Sequence, residues 1–141
     1  MEKPQPQVVV GVVIYKNGEI LFGKRVRGDG KQEYAGPGGR LQFGESLEEC
    51  AIRKAREEAG IEIQNPKVVA FQNVLSWEGS HYLDIGVIAE WKSGEPIVTQ
   101  YSSCEKWSWY SQKSLPSPLI VGDQHCIDAQ KTNQIYFGTV R

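Results

Sequence analysis

Gly36 to Ile61 reads GPGGRLQFGESLEECAIRKAREEAGI, and the interpretation of the whole chain grows out of this stretch. It divides into a glycine-rich turn, a short extended piece and one helix. Ser46 followed by Glu49 forms a capping box, in which each side chain satisfies a backbone N–H left unpaired at a helix start. The helix therefore begins at Ser46. Gly60 ends it, because glycine takes the left-handed conformation without a Cβ clash. A helix so bounded has about 14 residues and is roughly 21 Å long. Leu47, Ala51, Ala55 and Ala59 recur every four residues, flanked by Cys50 and Ile52, and predict a narrow buried stripe.

Arg53, Lys54, Glu57 and Glu58 occupy the neighbouring surface, and two readings of them stand side by side. In the first, the consecutive carboxylates of Glu57 and Glu58 hold a cation. Unit charges about 4 Å apart interact by about 4 kcal/mol at an effective dielectric near 20. A hard divalent ion such as Mg²⁺ is the usual partner where phosphates are also bound. In the second, the surface is a solvated face carrying Arg53–Glu57 and Lys54–Glu58 pairs at i, i+4, each contributing a few tenths of a kcal/mol. The preceding Gly36, Pro37, Gly38 and Gly39 favour the first, since glycines let backbone carbonyls and N–H groups approach a ligand closely.

The same residues resemble the signature of the Nudix hydrolase family, G-x5-E-x7-R-E-U-x-E-E-x-G-U, where U is a bulky aliphatic. Gly39, Glu45, Arg53, Glu57, Glu58, Gly60 and Ile61 match at the required spacing. Ala55 stands at the first U, and Lys54 stands where the family has glutamate. The resemblance implies that Glu57, Glu58 and the Lys54 position form the catalytic and metal-binding face. The Gly38 carbonyl would be a further metal ligand, and Glu45 and Arg53 would tie the loop to the helix. The implied cofactor is Mg²⁺, with Mn²⁺ as the alternative. A protonated lysine cannot ligate Mg²⁺, and Lys54 lies one turn before Glu58, so its ammonium is expected where the ion should sit.

The resemblance extends from about Val8 to about Ala129 and implies an α/β fold, an α/β/α sandwich with a mixed sheet. It also implies hydrolysis of a nucleoside diphosphate linked to another group. Similarity of the Cys104–Tyr110 segment to small MutT-like proteins favours a nucleoside triphosphate cleaved to monophosphate and pyrophosphate. The alternative is a catalytically impaired Nudix-fold protein that binds a nucleotide or a partner without turnover. A third reading is an active parent into which a lysine was introduced to trap substrate. Phosphate contact is expected from Arg25, in a Gly23-Lys24-Arg25 phrase similar to that of nucleotide-hydrolysing relatives, and from Arg40 beside Gly39.

Composition narrows the classes. At 141 residues the chain suits one domain with a real core. The expected division is a loose arm over residues 1–7 and a single domain over 8–141. A formal net charge of -1 gives no general drive toward nucleic acid polymers or anionic membranes. Cys50, Cys104 and Cys126 are odd in number and lack C-x-x-C spacing, which argues against a disulfide framework or a zinc knuckle. There is no apolar run of membrane-spanning length and no signal-peptide pattern. The expectation is a soluble, cytoplasmic protein acting on a small nucleotide, with a homodimer in keeping with the resemblance.

Along the chain, Val8–Tyr15 and Ile20–Val26 read as strands joined by a hairpin at Asn17-Gly18, a pair that readily takes positive φ. Arg27–Gln32 reads as a loop, Asn65-Pro66 as a turn, Val68–Trp77 as a strand and Glu78–Ser80 as the next turn. His81–Trp91 alternates imperfectly, as expected for a strand with one wetter face. Within it, Asp84 is a lone carboxylate that faces solvent or reads base amines in a pocket. Cys104–Tyr110 reads as a strand whose Trp107 and Trp109 pack in the core or stack on a ligand. Leu119–Ala129 is expected to be a closing helix and Ile135–Arg141 an edge strand. Glu105 is a further candidate carboxylate for the metal site.

Overall fold

The computed structural model describes residues 3–26, 30–75 and 79–141. Its strands are β1 (Gln7–Lys16), β2 (Glu19–Val26), β3 (Gln32–Ala35), β4 (Gly38–Arg40), β5 (Glu62–Leu75), β6 (His81–Ser93), β7 (Trp107–Ser111) and β8 (Tyr136–Val140), and its helices are α1 (Leu47–Ala59) and α2 (Val121–Thr132). All eight strands join one mixed sheet in the order β3-β2-β1-β6-β5-β8, with β4 pairing β1 and β7 pairing β2. Parallel pairing joins β1 to β6 and β5 to β8, and the other contacts are antiparallel.

The helices lie on opposite faces of the sheet, and side-chain alternation along β1 explains why. Val10, Val12 and Ile14 pack with Leu21 and the α1 residues Cys50, Ala51, Ala55 and Ala59. Val13 points the other way and packs with Ile20, Phe22 and the α2 residues Cys126 and Ile127. This is the expected α/β/α sandwich. The alanine stripe suits α1, because small side chains let the helix lie close to the sheet. On the other face the close approach is provided by the sheet. Gly11 of β1 pairs with Gly86 of β6, and a Cβ on Gly86 would lie 2.2 Å from Cys126 Sγ.

Local chemistry fixes most boundaries. Asn17 and Gly18 carry φ of 50° and 79°, giving a two-residue hairpin loop in which Lys16 faces Glu19. The α1 capping box is formed, and Gly60 caps its C-terminus at φ 66°. Four expectations are corrected. Gly38-Gly39 is not only a turn: with Arg40 it forms β4, because hydrogen bonding to β1 captures it. Asn65-Pro66 does not break the chain. It sits inside β5, where register shifts absorb Asn65 at φ 53° and the proline that cannot donate to the ladder. The first residue of β1 is Gln7, so the exposed segment without regular structure covers only residues 3–6 of the expected arm. The closing helix starts at Val121, because residues 118–120 are held in extended form by hydrogen bonds from Tyr34 N to Pro118 O and from Ile120 N to Tyr34 O.

The expected loop over 27–32 falls partly outside the described residues, as do Trp77 and Glu78. The tail forms the expected edge strand, β8 beside β5. Among the described residues no helix is long and apolar enough to cross a membrane.

Candidate active site

Arg53 is the hub around which the α1 surface is ordered. Its Nε lies 2.6 Å from Glu45 Oε2, one Nη donates to Glu57 Oε1 at 2.8 Å, and the other donates to Glu45 Oε1 at 2.9 Å and to the Arg40 carbonyl at 3.0 Å. Glu45 also accepts the Gln42 N–H. The Arg53 hydrogen bonds hold the Glu45 carboxyl down to about 2. Glu45 and Arg53 thus tie the loop before α1 to the helix, and the same guanidinium fixes Glu57.

Glu58 is buried at 8% exposure. Its Oε1 accepts the Gly38 N–H at 3.1 Å and its Oε2 lies 3.3 Å from Lys54 Nζ. Burial pushes the Glu58 carboxyl above its ordinary value, opposed by the Gly38 amide and the Lys54 ammonium. Leu41 N donates to Val8 O and Val12 N to Pro37 O. By the alternation of an antiparallel ladder, Gly38 opposite Gly11 is then a non-hydrogen-bonded position. Its N–H and carbonyl therefore turn away from β1, and the N–H meets Glu58.

The last turn of α1 is held by the segment after β6. Carbonyls there have no partner within the helix, and each finds one outside it. Thr99 Oγ1 donates to Glu57 O, Ser102 Oγ and Trp107 Nε1 donate to Glu58 O, and Ile97 N donates to Ala59 O. Trp107 and Trp109 both pack against the α1-side core, as core packing requires.

A cavity of about 760 Å³ opens beside these groups, lined among others by Arg25, Gly38, Gly39, Arg40, Glu58, Asp84, Trp107 and Asp123. Arg25 pairs with Glu33 at 3.2 Å across β2 and β3. Asp84 is turned into the fold, accepting from Gln72 Nε2 at 2.7 Å, while Gln72 Oε1 is 2.8 Å from His125 Nδ1. Asp123 is 5% exposed and accepts the Gly36 N–H at 2.8 Å. Burial first, and the neighbouring Asp84 charge after it, push the Asp123 carboxyl up to about 7. Asp84 is raised by burial as well, with Gln72 opposing. Such displacement of carboxyl groups in a cleft is typical of functional sites.

Of the residues singled out in the sequence, the fold gathers Gly38, Gly39, Arg25, Arg40, Glu58 and Asp84 around one cavity and sets Glu45, Arg53, Lys54 and Glu57 beside it. Glu105 is not among them: it is exposed on the rim of a second hollow. Sequence reading missed Asp123, Gln72 and the Thr99–Ser102 clamp. Asp123 carried the same signal as Asp84, a single carboxylate within the apolar run Leu119–Ile127.

The donor set suits a hard divalent ion in part. Two carboxylates and a carbonyl are oxygen ligands of the kind Mg²⁺ takes alongside water and substrate phosphates. Among the described residues no three His, Cys, Asp or Glu side chains converge as a metal centre. The position between Glu57 and Glu58 is instead approached by Lys54 Nζ, at 4.0 and 3.3 Å.

Comparison with known proteins bears on the family and the fold. The NUDIX domain family matches residues 5–130. The NAD-capped RNA hydrolase NudC of Pseudomonas aeruginosa (strain LESB58) is 40% identical over 83 residues, covering 59% of this chain and 28% of that protein. Its namesake from Pseudomonas entomophila (strain L48) is 36% identical over 111 residues, 79% of this chain and 38% of that protein. The matched part of the chain thus spans only 28 to 38% of the length of these relatives. The crystal structure of a MutT NUDIX hydrolase from Burkholderia pseudomallei superposes with a TM-score of 0.76 at 28% identity, covering 88% of this chain and 97% of that one. A MutT protein from Bacillus halodurans shares the fold, with a TM-score of 0.74 at 23% identity, covering 95% and 90%. With the signature helix, the glycine strand and the sandwich in place, the chain belongs to the NUDIX family.

Proposed function

We propose that this chain is a hydrolase that cleaves the diphosphate linkage of a nucleotide with the help of Mg²⁺ or Mn²⁺, most specifically a nucleoside triphosphate to monophosphate and pyrophosphate. The observation that carries the reading is the shared cavity. It has Arg25, Arg40 and the glycine strand as phosphate-binding groups, Glu58 at the wall, and Asp84 with Asp123 as carboxyl groups suited to the N–H edge of a base. Its volume lies in the range of small-ligand sites, roughly 300–1,000 Å³.

In this reading Glu57, Glu58 and the Gly38 carbonyl hold the divalent ion. The chemistry such an ion supplies is neutralisation of phosphate charge and activation of water. The protein's own residues do the positioning. Arg53 holds Glu57 from one side while the Gly38 amide holds Glu58 from the other. Arg25, braced by Glu33, offers its guanidinium to phosphate oxygens, a geometry suited to bidentate contact. Asp84 is fixed by the Gln72–His125 chain. Because Gln72 Oε1 faces His125, its amide N–H is directed at one Asp84 oxygen and leaves the other for a ligand.

The names of the curated relatives favour a second reading of the substrate, a dinucleotide cap on RNA. An acidic balance and the enclosed carboxyl pair support a small nucleotide instead. The test is a panel of nucleoside triphosphates, nucleoside diphosphates joined to sugars or nucleosides, free NAD and NAD-capped oligonucleotide. Products are separated by chromatography with Mg²⁺ and again with chelator. Chelator-sensitive pyrophosphate release from a triphosphate supports the proposal. Cleavage confined to the capped RNA favours the second reading, and no turnover of any member refutes both.

A further inference from the structure

Resting on that functional reading, which assigns one divalent ion to Glu57, Glu58 and the Gly38 carbonyl, we propose that Lys54 is a tethered cation that takes the place of a second divalent ion beside Glu57 and Glu58. The ammonium sits 3.3 Å from Glu58 Oε2 and 4.0 Å from Glu57 Oε2, and the side chain is only 15% exposed. Its place is built by the fold. The chain of Lys54 runs over Gly39, where an added Cβ would meet Cε at 2.6 Å and Nζ at 2.9 Å. The missing side chain at Gly39 is therefore the slot that directs the lysine inward.

Around this point Glu57 and Glu58 attract a cation, Arg53 directs its hydrogen bonds to Glu45, Glu57 and the Arg40 carbonyl, and the Arg25 charge reaches Glu58 across the cavity. Arg53 donates to both Glu57 oxygens, at 2.8 and 3.1 Å, and the Gly38 N–H is bound to Glu58 Oε1, so Lys54 engages chiefly Glu58 Oε2 and shares Glu57 Oε2 with Arg53. A carboxylate in place of Lys54 would present a third acidic ligand to the same point. The lysine does the opposite: it offsets part of the pair's negative charge and repels a second cation. A unit charge about 4 Å from a divalent ion opposes its binding by at least about tenfold even when well screened. The consequence is a site that loads one divalent ion fewer, with the tethered ammonium supplying positive charge in its place.

The experiment is titration with Mn²⁺ alone, read by electron paramagnetic resonance of free Mn²⁺ and by calorimetry. The unmodified chain is compared with Lys54→Met, Lys54→Gln and Lys54→Glu, each checked for native circular dichroism. Both neutral variants should bind Mn²⁺ at least about tenfold more tightly, and Lys54→Glu should bind one ion more. Adding Glu58→Gln to Lys54→Met should abolish the gain, which locates the ion. Mn²⁺ affinity and stoichiometry equal in all four chains would overturn the inference while leaving the hydrolase reading standing. Absence of Mn²⁺ binding in every chain would overturn both.

Discussion

Asp123 gives the fold a titration that can be read as stability. Its carboxyl is buried at the start of α2 against the sheet and is raised from an ordinary value near 3.8 to about 7, chiefly by burial. A group whose pKa is higher in the folded state binds its proton more tightly there, so its contribution to stability falls as pH rises through that interval. Each pKa unit corresponds to about 1.36 kcal/mol, and integrating between about pH 5 and about pH 8 gives a loss of about 3 kcal/mol. For a domain of this size that is about 9 °C in melting temperature. Asp123→Asn keeps an oxygen for the Gly36 N–H and removes the titration. The assay is thermal melting of both chains by circular dichroism across that pH range, with the difference between them plotted against pH. The unmodified chain should fall steadily relative to the variant. A difference constant to within about 2 °C would refute the argument that Asp123 is held as the neutral acid.

Two further perturbations follow from the same geometry. Arg53→Met should destabilise the chain by about 2 kcal/mol, since hydrogen bonds to charged groups are lost at Glu45, Glu57 and the Arg40 carbonyl. Because Glu45 is depressed, its share is present above pH 4.5 and disappears as pH falls toward 2, so urea unfolding of the two chains should converge on the acid side. Gly86→Ala should cost about 2 kcal/mol by overpacking against Cys126. Adding Cys126→Ala should restore most of it in a double-mutant cycle, and simple additivity of the two losses would show that the glycine is not making room for α2.

How much could be read in the chain depended on how local the physics was. The α1 boundaries were legible because a capping box and a left-handed glycine satisfy their own helix ends within a few residues. The hairpin at Asn17-Gly18 was legible for the same reason. Asn65-Pro66 misled because a β-bulge is a bargain struck with the partner strand, and β6 lies some twenty residues further along. Gly38-Gly39 was read as a turn because nothing in glycine announces that β1 will pair with it. Within the site, the signature residues were legible from spacing, whereas Asp123, Gln72 and Asp84 meet only when α2, β5 and β6 are assembled. An isolated carboxylate in an apolar run marks such a place, but its partners come from elsewhere in the chain.

The hydrogen bonds from Thr99, Ser102 and Trp107 onto the Glu57 and Glu58 carbonyls bear on how this protein can change. The loop that carries Thr99 and Ser102 and leads into Trp107 of β7 also contributes Ser103 and Cys104 to the cavity wall, so it is the natural place for a new substrate preference to arise. Its freedom is restricted, because the same few residues hold the backbone from which the two carboxylates project. A loop transplanted from a relative without donors at positions 99 and 102 would bring its specificity and loosen the acid pair at once. Diversification here is confined to the residues between the anchors.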